Sequence, residues 1–127
     1  MAVRPRANAI SPRPTQIKLK KAEKRLDITF DDGVAFSYPA ELLRVESPSA
    51  EVQGHGSSQK KMIAGRRHVG VMEIEPVGNY AVRLIFDDLH DTGIFSWQYL
   101  YELGNQQTER WQEYITALER EGLSRDP

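Results

Sequence analysis

The hydrophobic residues of this chain change their spacing once along the sequence, and that change limits the folds that the chain can adopt. Up to residue 86, apolar and polar residues alternate, which is typical of strands with one buried face. In the last alternating stretch the apolar residues are Tyr80, Val82, Leu84 and Phe86. Farther on, apolar residues recur with helical spacing. These residues are Trp111, Tyr114, Ile115 and Leu118. Strands first and helices last predict an α+β domain, with an antiparallel sheet of hairpins, short helices and a C-terminal amphipathic helix.

Turn and capping residues divide these patterns into elements. The stretches Asp31-Asp32-Gly33 and Gly78-Asn79 each separate two alternating segments, and glycine favours the tight turn of a β-hairpin. Pro39 suits the first position of a short helical turn. Ser96 can cap a helix over residues 97–103 that Gly104 would end, and a longer helix is predicted over residues 106–121.

The length and the residue counts exclude several classes of protein. A chain of 127 residues corresponds to one ordinary domain. Its lack of cysteine excludes disulfides, thiolate metal sites and cysteine nucleophiles. No apolar run approaches the roughly 20 residues of a membrane span, and the N-terminus lacks the apolar core of a signal peptide. We therefore expect a cytoplasmic protein with no membrane partner.

The charges are distributed unevenly along the chain. Residues 1–25 carry eight basic side chains and one acidic one, whereas the remainder carries nine basic and seventeen acidic ones. A basic arm could contact nucleic acid, but this arm has no aromatic residue to stack on a base, which favours a solubilising tail. We expect a disordered basic arm over residues 1–15, a folded domain over residues 16–104, and a C-terminal helix and tail over residues 105–127.

The sequence contains none of the common catalytic or phosphate-binding motifs, so its histidines are the main candidates for chemistry. His68 follows two arginines, which disfavour both a protonated imidazole and a bound cation. His55 lies in a glycine-flanked loop four residues after Glu51. These features make His68 an ordinary surface residue and His55 a weak candidate ligand.

His90 is the most informative histidine, because the segment "FDDLHDTG" surrounds it with aspartates. Such carboxylates could raise the pKa of the imidazole or supply oxygen ligands to a divalent ion. Alternatively, the aspartates bond backbone amides of their own turn while His90 packs over an aromatic ring, and the sequence favours this structural interpretation. The full set of candidate metal ligands is His90, His55, Asp88, Asp91 and Glu51.

The segments "LLRVESPSAEVQGHG", "VGNYAVRLIFDDLHDTGIFSW" and "YLYELG" together resemble a small family named after the N-terminal domain of gamma-butyrobetaine hydroxylase. The resemblance runs from about Thr15 to Gly104. In the hydroxylases, a leucine–arginine pair precedes three cysteines, and a later histidine completes a structural zinc site. The resemblance places the pair at Leu43-Arg44. It places the four ligands at Ser47, Ser49, Val52 and His90.

The resemblance implies that this chain lacks the family's zinc and works as an accessory domain. Serine hydroxyls are poor zinc ligands and Val52 cannot bind a metal, so we expect no cofactor. Oxidation in the hydroxylases belongs to a separate iron-binding domain, for which this chain has no counterpart. We therefore expect a non-catalytic domain that binds a protein partner or self-associates. Its expected interaction loop contains Arg44, Ser47, Ser49, Glu51 and His55. The alternative is a metal-binding protein with His, Asp and Glu ligands, linked to iron or iron–sulfur enzyme supply.

Overall fold

The residues that the structure describes form two three-stranded antiparallel sheets and three helices, which confirms the predicted α+β class. A computed structural model describes residues 12–48, 63–91 and 93–127. The first sheet contains β1 (Pro14–Lys20), β2 (Arg25–Phe30) and β3 (Ala35–Pro39) in that order. The second contains β4 (Val71–Val77), β5 (Ala81–Phe86) and β6 (Gly93–Ser96). The helices are α1 (Ala40–Val45), α2 (Trp97–Asn105) and α3 (Gln107–Arg120).

The two predicted hairpin turns are confirmed, and both rely on glycine. Gly33 adopts φ 86° between β2 and β3, and Gly78 adopts φ 54° between β4 and β5. These values lie in the left-handed region, which costs glycine little because it lacks a Cβ atom. The alternation upstream of each turn then sets which side chains face inward. In β2, for example, the buried residues are Leu26, Ile28 and Phe30.

One main core lies between the two sheets and α2. Its largest fully buried side chains include Tyr38, Phe30, Phe86, Phe95 and Leu100. The Tyr38 hydroxyl donates a hydrogen bond to the carbonyl oxygen of Leu100 at 2.6 Å, and burial raises the pKa of Tyr38. Because burying one such side chain stabilises a fold by roughly 1.5–3 kcal/mol, this core is the chief source of stability.

The observed boundaries differ from the predicted ones at several places. β1 begins at Pro14, inside the segment that we expected to be disordered, because the Arg13 carbonyl accepts a hydrogen bond from the Asp31 amide. β6 was not predicted, since four residues are too few to show alternation. The prediction that Gly104 ends α2 was wrong: the helix continues to Asn105.

Gly104 has a packing role instead of a capping role. A Cβ atom at this position would lie 2.4 Å from Phe36 Cδ2, so only glycine lets α2 approach β3 this closely. α3 ends one residue before its predicted end, and Gly122 follows it with φ 67°. Within the described residues, no helix is both long and apolar enough to cross a membrane.

Candidate functional site

The end of α1 meets the turn that follows β5, and this contact joins two residues that the sequence places 43 positions apart. Ser47 lies two residues after α1, and His90 lies in the turn formed by residues 87–91, here called the β5–β6 turn. Ser47 Oγ is 3.0 Å from His90 Nε2, within hydrogen-bond distance. Ser47 is 0% exposed and His90 is 5% exposed. We call these two residues the Ser47–His90 pair.

Backbone hydrogen bonds within the β5–β6 turn orient His90. The Phe86 amide donates to the His90 carbonyl oxygen at 2.9 Å, and the His90 amide donates to Asp88 Oδ1 at 3.2 Å. The imidazole also packs against the Phe86 ring, with ring centroids 5.9 Å apart. These are the features of the structural interpretation of "FDDLHDTG": an aspartate that bonds its own turn, and a histidine that packs over an aromatic ring.

Asp88 joins the β5–β6 turn to two other segments through ion pairs. Its Oδ2 accepts hydrogen bonds from Arg44 Nε in α1 and from Arg66 Nε, each at 2.7 Å. Burial alone would raise the pKa of Asp88. Hydrogen bonds from the Arg44 side chain and the His90 amide, together with the charges of Arg44 and Arg66, outweigh that effect and hold the pKa below its ordinary value. Asp88 is therefore an ionised, structural carboxylate.

Gly93 provides the space that Ser47 occupies. A Cβ atom at position 93 would lie 2.3 Å from Ser47 Oγ and 3.1 Å from Phe95 Cε1. Any other residue at this position would push the Ser47 side chain away from His90. No pattern in the sequence indicates this close approach, because it depends on the pairing of β5 with β6, a strand that was not predicted.

Leu89 is the most exposed large hydrophobic side chain among the described residues. It is 86% exposed and adopts φ 73°, in the left-handed region. The left-handed conformation is less favourable than the ordinary one by roughly 1–2 kcal/mol for a residue with a Cβ atom. The β5–β6 turn thus buries His90 and presents the neighbouring Leu89 to solvent.

The described part of the predicted metal site does not suit zinc. Ser47 contributes a neutral hydroxyl beside the single imidazole of His90, and Asp88 is held by two arginines. Across residues 12–48, 63–91 and 93–127, no three His, Asp or Glu side chains are grouped so that they could hold a metal ion. Four other predicted positions lie outside the described residues, namely Ser49, Glu51, Val52 and His55.

The remaining candidates have peripheral positions or structural partners. Asp91 is exposed, and its carbonyl oxygen lies 3.4 Å from Arg83 Nη1. His68 is exposed, as predicted for a surface residue, and its carbonyl oxygen accepts a hydrogen bond from Lys24 Nζ. Arg44, expected in an interaction loop, is buried and pairs with Asp88. The role of Arg66 was not predicted, because its basic neighbours suggested an ordinary surface segment.

Solved structures of similar proteins share this fold. Two are each described as the NMR solution structure of a protein, and both have a TM-score of 0.81. The first is 45% identical to this chain, and the match covers 92% of each chain. The second is 44% identical and covers 96% of this chain and 91% of its own. The likeness therefore extends over nearly the whole chain.

A crystal structure of a protein with unknown function from Acidithiobacillus ferrooxidans, assigned to the DUF971 family, is 37% identical. Its TM-score is 0.62, and it covers 72% of this chain and 92% of its own. No curated protein matches this chain. The family model described as gamma-butyrobetaine hydroxylase-like, N-terminal, matches residues 17–101. This chain therefore belongs to the gamma-butyrobetaine hydroxylase-like N-terminal family.

Proposed function

We propose that this chain is a non-catalytic interaction domain that binds a protein partner through the β5–β6 turn. One observation carries the proposal: the turn that buries His90 against Ser47 also presents Leu89, 86% exposed, in a left-handed backbone. An exposed apolar side chain on a turn held by hydrogen bonds can enter a pocket of another protein, where its removal from water is favourable.

The polar side chains near the β5–β6 turn bond one another, which supports a role without catalysis. A serine beside a histidine can act as a nucleophile with its base, but the nucleophile must reach a substrate. Ser47 is fully buried, and the Asp88 carboxylate accepts hydrogen bonds from Arg44 and Arg66. These groups hold α1, the segment around Arg66 and the β5–β6 turn together. We further propose that they do so without a bound metal.

The backbone of Leu89 supports a role in contacts with a partner. Asparagine or glycine would adopt its left-handed conformation at lower cost, and a polar side chain would suit its exposed position. The leucine therefore reduces folding stability in the free protein. Contact of its side chain with a partner would offset that cost.

The substitution Leu89→Asn tests the proposal, with Leu123→Asn as a matched control. Both leucines are exposed, but only Leu89 is in the β5–β6 turn and has a positive φ. We expect Leu89→Asn to raise the free energy of unfolding by about 0.5–1 kcal/mol, because the backbone strain is relieved. Loss of binding by this variant would then not be a consequence of unfolding.

Binding is measured by quantitative pull-down from native lysate, with sedimentation of the purified protein to detect self-association. The proposal predicts a reproducible partner, or a self-associated form, that the wild type and Leu123→Asn retain and Leu89→Asn loses. Equal recovery by both variants would exclude the turn as the contact. A monomeric protein that recovers no reproducible partner would contradict the proposal itself.

A further inference from the structure

The junction between α2 and α3 is a single residue, and helical hydrogen bonds continue across it in part. Gln106 has φ −109° and ψ 14°, so it is not a left-handed residue of the kind that commonly ends helices. Its amide donates to the Glu102 carbonyl oxygen at 3.0 Å, and its own carbonyl accepts from the Arg110 amide at 2.9 Å. Both bonds have the i to i+4 spacing of a continuous helix. The Gln106 amide also donates to the Leu103 carbonyl oxygen at 3.1 Å, an i to i+3 bond that tightens the end of α2.

Tertiary contacts therefore hold α3 in its position. α3 packs against α1 through a small apolar cluster, which Trp111 of α3 joins to the main core. The buried members of this cluster are Val45, Tyr114 and Leu118. The cluster's partly buried members include Ile63 and Ile115. α3 supplies no buried residue of the main core, and of its side chains only Trp111 packs against that core, so α3 can leave α1 while the buried core residues stay in place.

Two ion pairs strengthen the contact between α3, the residues after it and α1. Arg110 Nη1 lies 3.3 Å from Glu46 Oε2, and Arg125 Nη2 lies 2.8 Å from Glu41 Oε1. Both carboxylates are almost fully buried, with Glu41 5% exposed and Glu46 4% exposed. These buried carboxylates make the covered surface of α1 acidic. A segment that covers this surface must therefore supply cations to pair with them.

Residues 124 and 125, which follow α3, also bond the segment around Arg66. The Gly65 amide donates to the Ser124 carbonyl oxygen, and the Arg67 amide donates to the Arg125 carbonyl oxygen, each at 2.9 Å. The Arg125 guanidinium also lies over the Trp111 ring, 5.0 Å from its centroid. We call α3 together with residues 121–127 the C-terminal strap.

We propose that two copies of this chain exchange their C-terminal straps, with α2 and α3 fused into one helix in each copy. A fused helix over residues 97–120 would be about 36 Å long at 1.5 Å per residue. It would carry the strap away from its own α1 and toward that of the second copy. The second copy is the fitting occupant, because its strap presents the same arginines and apolar residues to the same acidic surface. This exchange uses the α1 surface and does not depend on the proposed function of the β5–β6 turn.

Charge reversal in two separate chains tests the exchange. E41R and R125E each place like charges at the strap contact, so neither variant can close its own strap. In a mixed pair with exchanged straps, each contact again joins opposite charges. We expect an equimolar mixture, refolded together, to sediment at twice the monomer mass and to recover most of the wild-type melting temperature. A mixture that keeps the monomer mass and the lowered melting temperatures of the single variants would overturn the proposal.

The double variant E41R/R125E in one chain is the control. Its strap contact is complementary within the chain, so it should melt close to the wild type. A double variant that melts as low as the single variants would show that this ion pair does not hold the strap and would also overturn the proposal.

A second measurement on an otherwise native chain keeps the proposal testable if the single variants do not fold. Gln106→Ala favours a continuous helix at the junction, because alanine is the strongest helix former. Gln112→Ala is the control, since both glutamines are exposed and each bonds a side chain four residues ahead. After refolding at high concentration, we expect Gln106→Ala to raise the dimer fraction about threefold over the wild type. Equal dimer fractions in the two variants would overturn the proposal.

Discussion

A buried hydrogen bond joins Ser47 and His90, two of the four positions at which the resemblance to the hydroxylases places zinc ligands. Ser47 Oγ and His90 Nε2 lie 3.0 Å apart. Neither the hydrophobic spacing nor the charges of the sequence indicate this contact, because 43 residues separate the two side chains. The resemblance placed both positions in one zinc site, and the structure brings the two side chains together. Their correspondence to zinc ligands of the hydroxylases stays a prediction. Gly93, which leaves room for Ser47, could not be identified without the structure.

The substitution Ser47→Ala tests the contribution of this hydrogen bond to stability. Removing the hydroxyl deletes a hydrogen bond between two buried side chains, and loss of a partner in a buried environment costs about 1–3 kcal/mol. We expect the free energy of unfolding to fall by about 2 kcal/mol in urea denaturation. Ser37→Ala is the control, because Ser37 is exposed and its hydrogen bond to Asp27 lies at the surface, so its loss should cost no more than about 0.5 kcal/mol. Equal effects of the two substitutions would contradict a structural role for the Ser47–His90 pair.

Among the elements, the β5–β6 turn has some contacts that the sequence predicted and others that it did not. Its aspartates correctly indicated side chains that bond the backbone of the turn, as Asp88 does with His90. The ion pairs of Asp88 with Arg44 and Arg66 were not predicted, because they link segments with no common periodicity. Hairpins depend on local turn chemistry and were predicted, whereas ties between distant segments depend on how the sheets pack.

The substitution Asp88→Asn tests whether the turn depends on a charged carboxylate. Because the folded protein lowers the pKa of Asp88, the ionised form contributes stability above the unfolded pKa of about 3.9. This contribution is lost as the pH falls through the lower folded pKa. At pH 7 we expect Asp88→Asn to reduce the free energy of unfolding by about 2 kcal/mol, since two arginines lose their counter-charge.

Urea denaturation of both proteins from pH 7 to pH 3 measures this effect. The difference between wild type and Asp88→Asn should shrink as the pH falls below about 4. Asp91→Asn is the matched control, because Asp91 is exposed in the same turn and its substitution should have little effect at any pH. A difference between wild type and Asp88→Asn that stays constant with pH would show that the charge is not responsible.

At the scale of the whole molecule, the protein consists of one core and a C-terminal strap that covers part of it. The family model matches residues 17–101, so α3 lies outside the matched span. The helical spacing predicted α3 closely. It could not predict that Glu41 would be buried beneath the strap, because Arg125, which pairs with it, follows the helix in a segment without periodicity.

The substitution Arg125→Ala tests how strongly the strap is held. It leaves the buried Glu41 carboxylate without its cation, which we expect to cost about 3 kcal/mol. In hydrogen exchange, the amides of α3 should lose protection while those of β5 keep theirs, since β5 belongs to the main core. Arg120→Ala, an exposed arginine at the end of α3, is the control and should leave both regions protected. Equal loss of protection in α3 and β5 would show that the strap and the core unfold together.

The metal content of the purified protein tests most directly whether packing and hydrogen bonds hold the Ser47–His90 pair together without a metal ion. The measurement is elemental analysis of protein prepared without chelators and then dialysed against Zn²⁺, Fe²⁺ or Mn²⁺, expressed as bound ions per chain. With two arginines on Asp88 and a serine hydroxyl facing His90, we predict far less than one ion per chain. One tightly bound ion per chain that is lost when His90 is replaced by alanine would contradict this account.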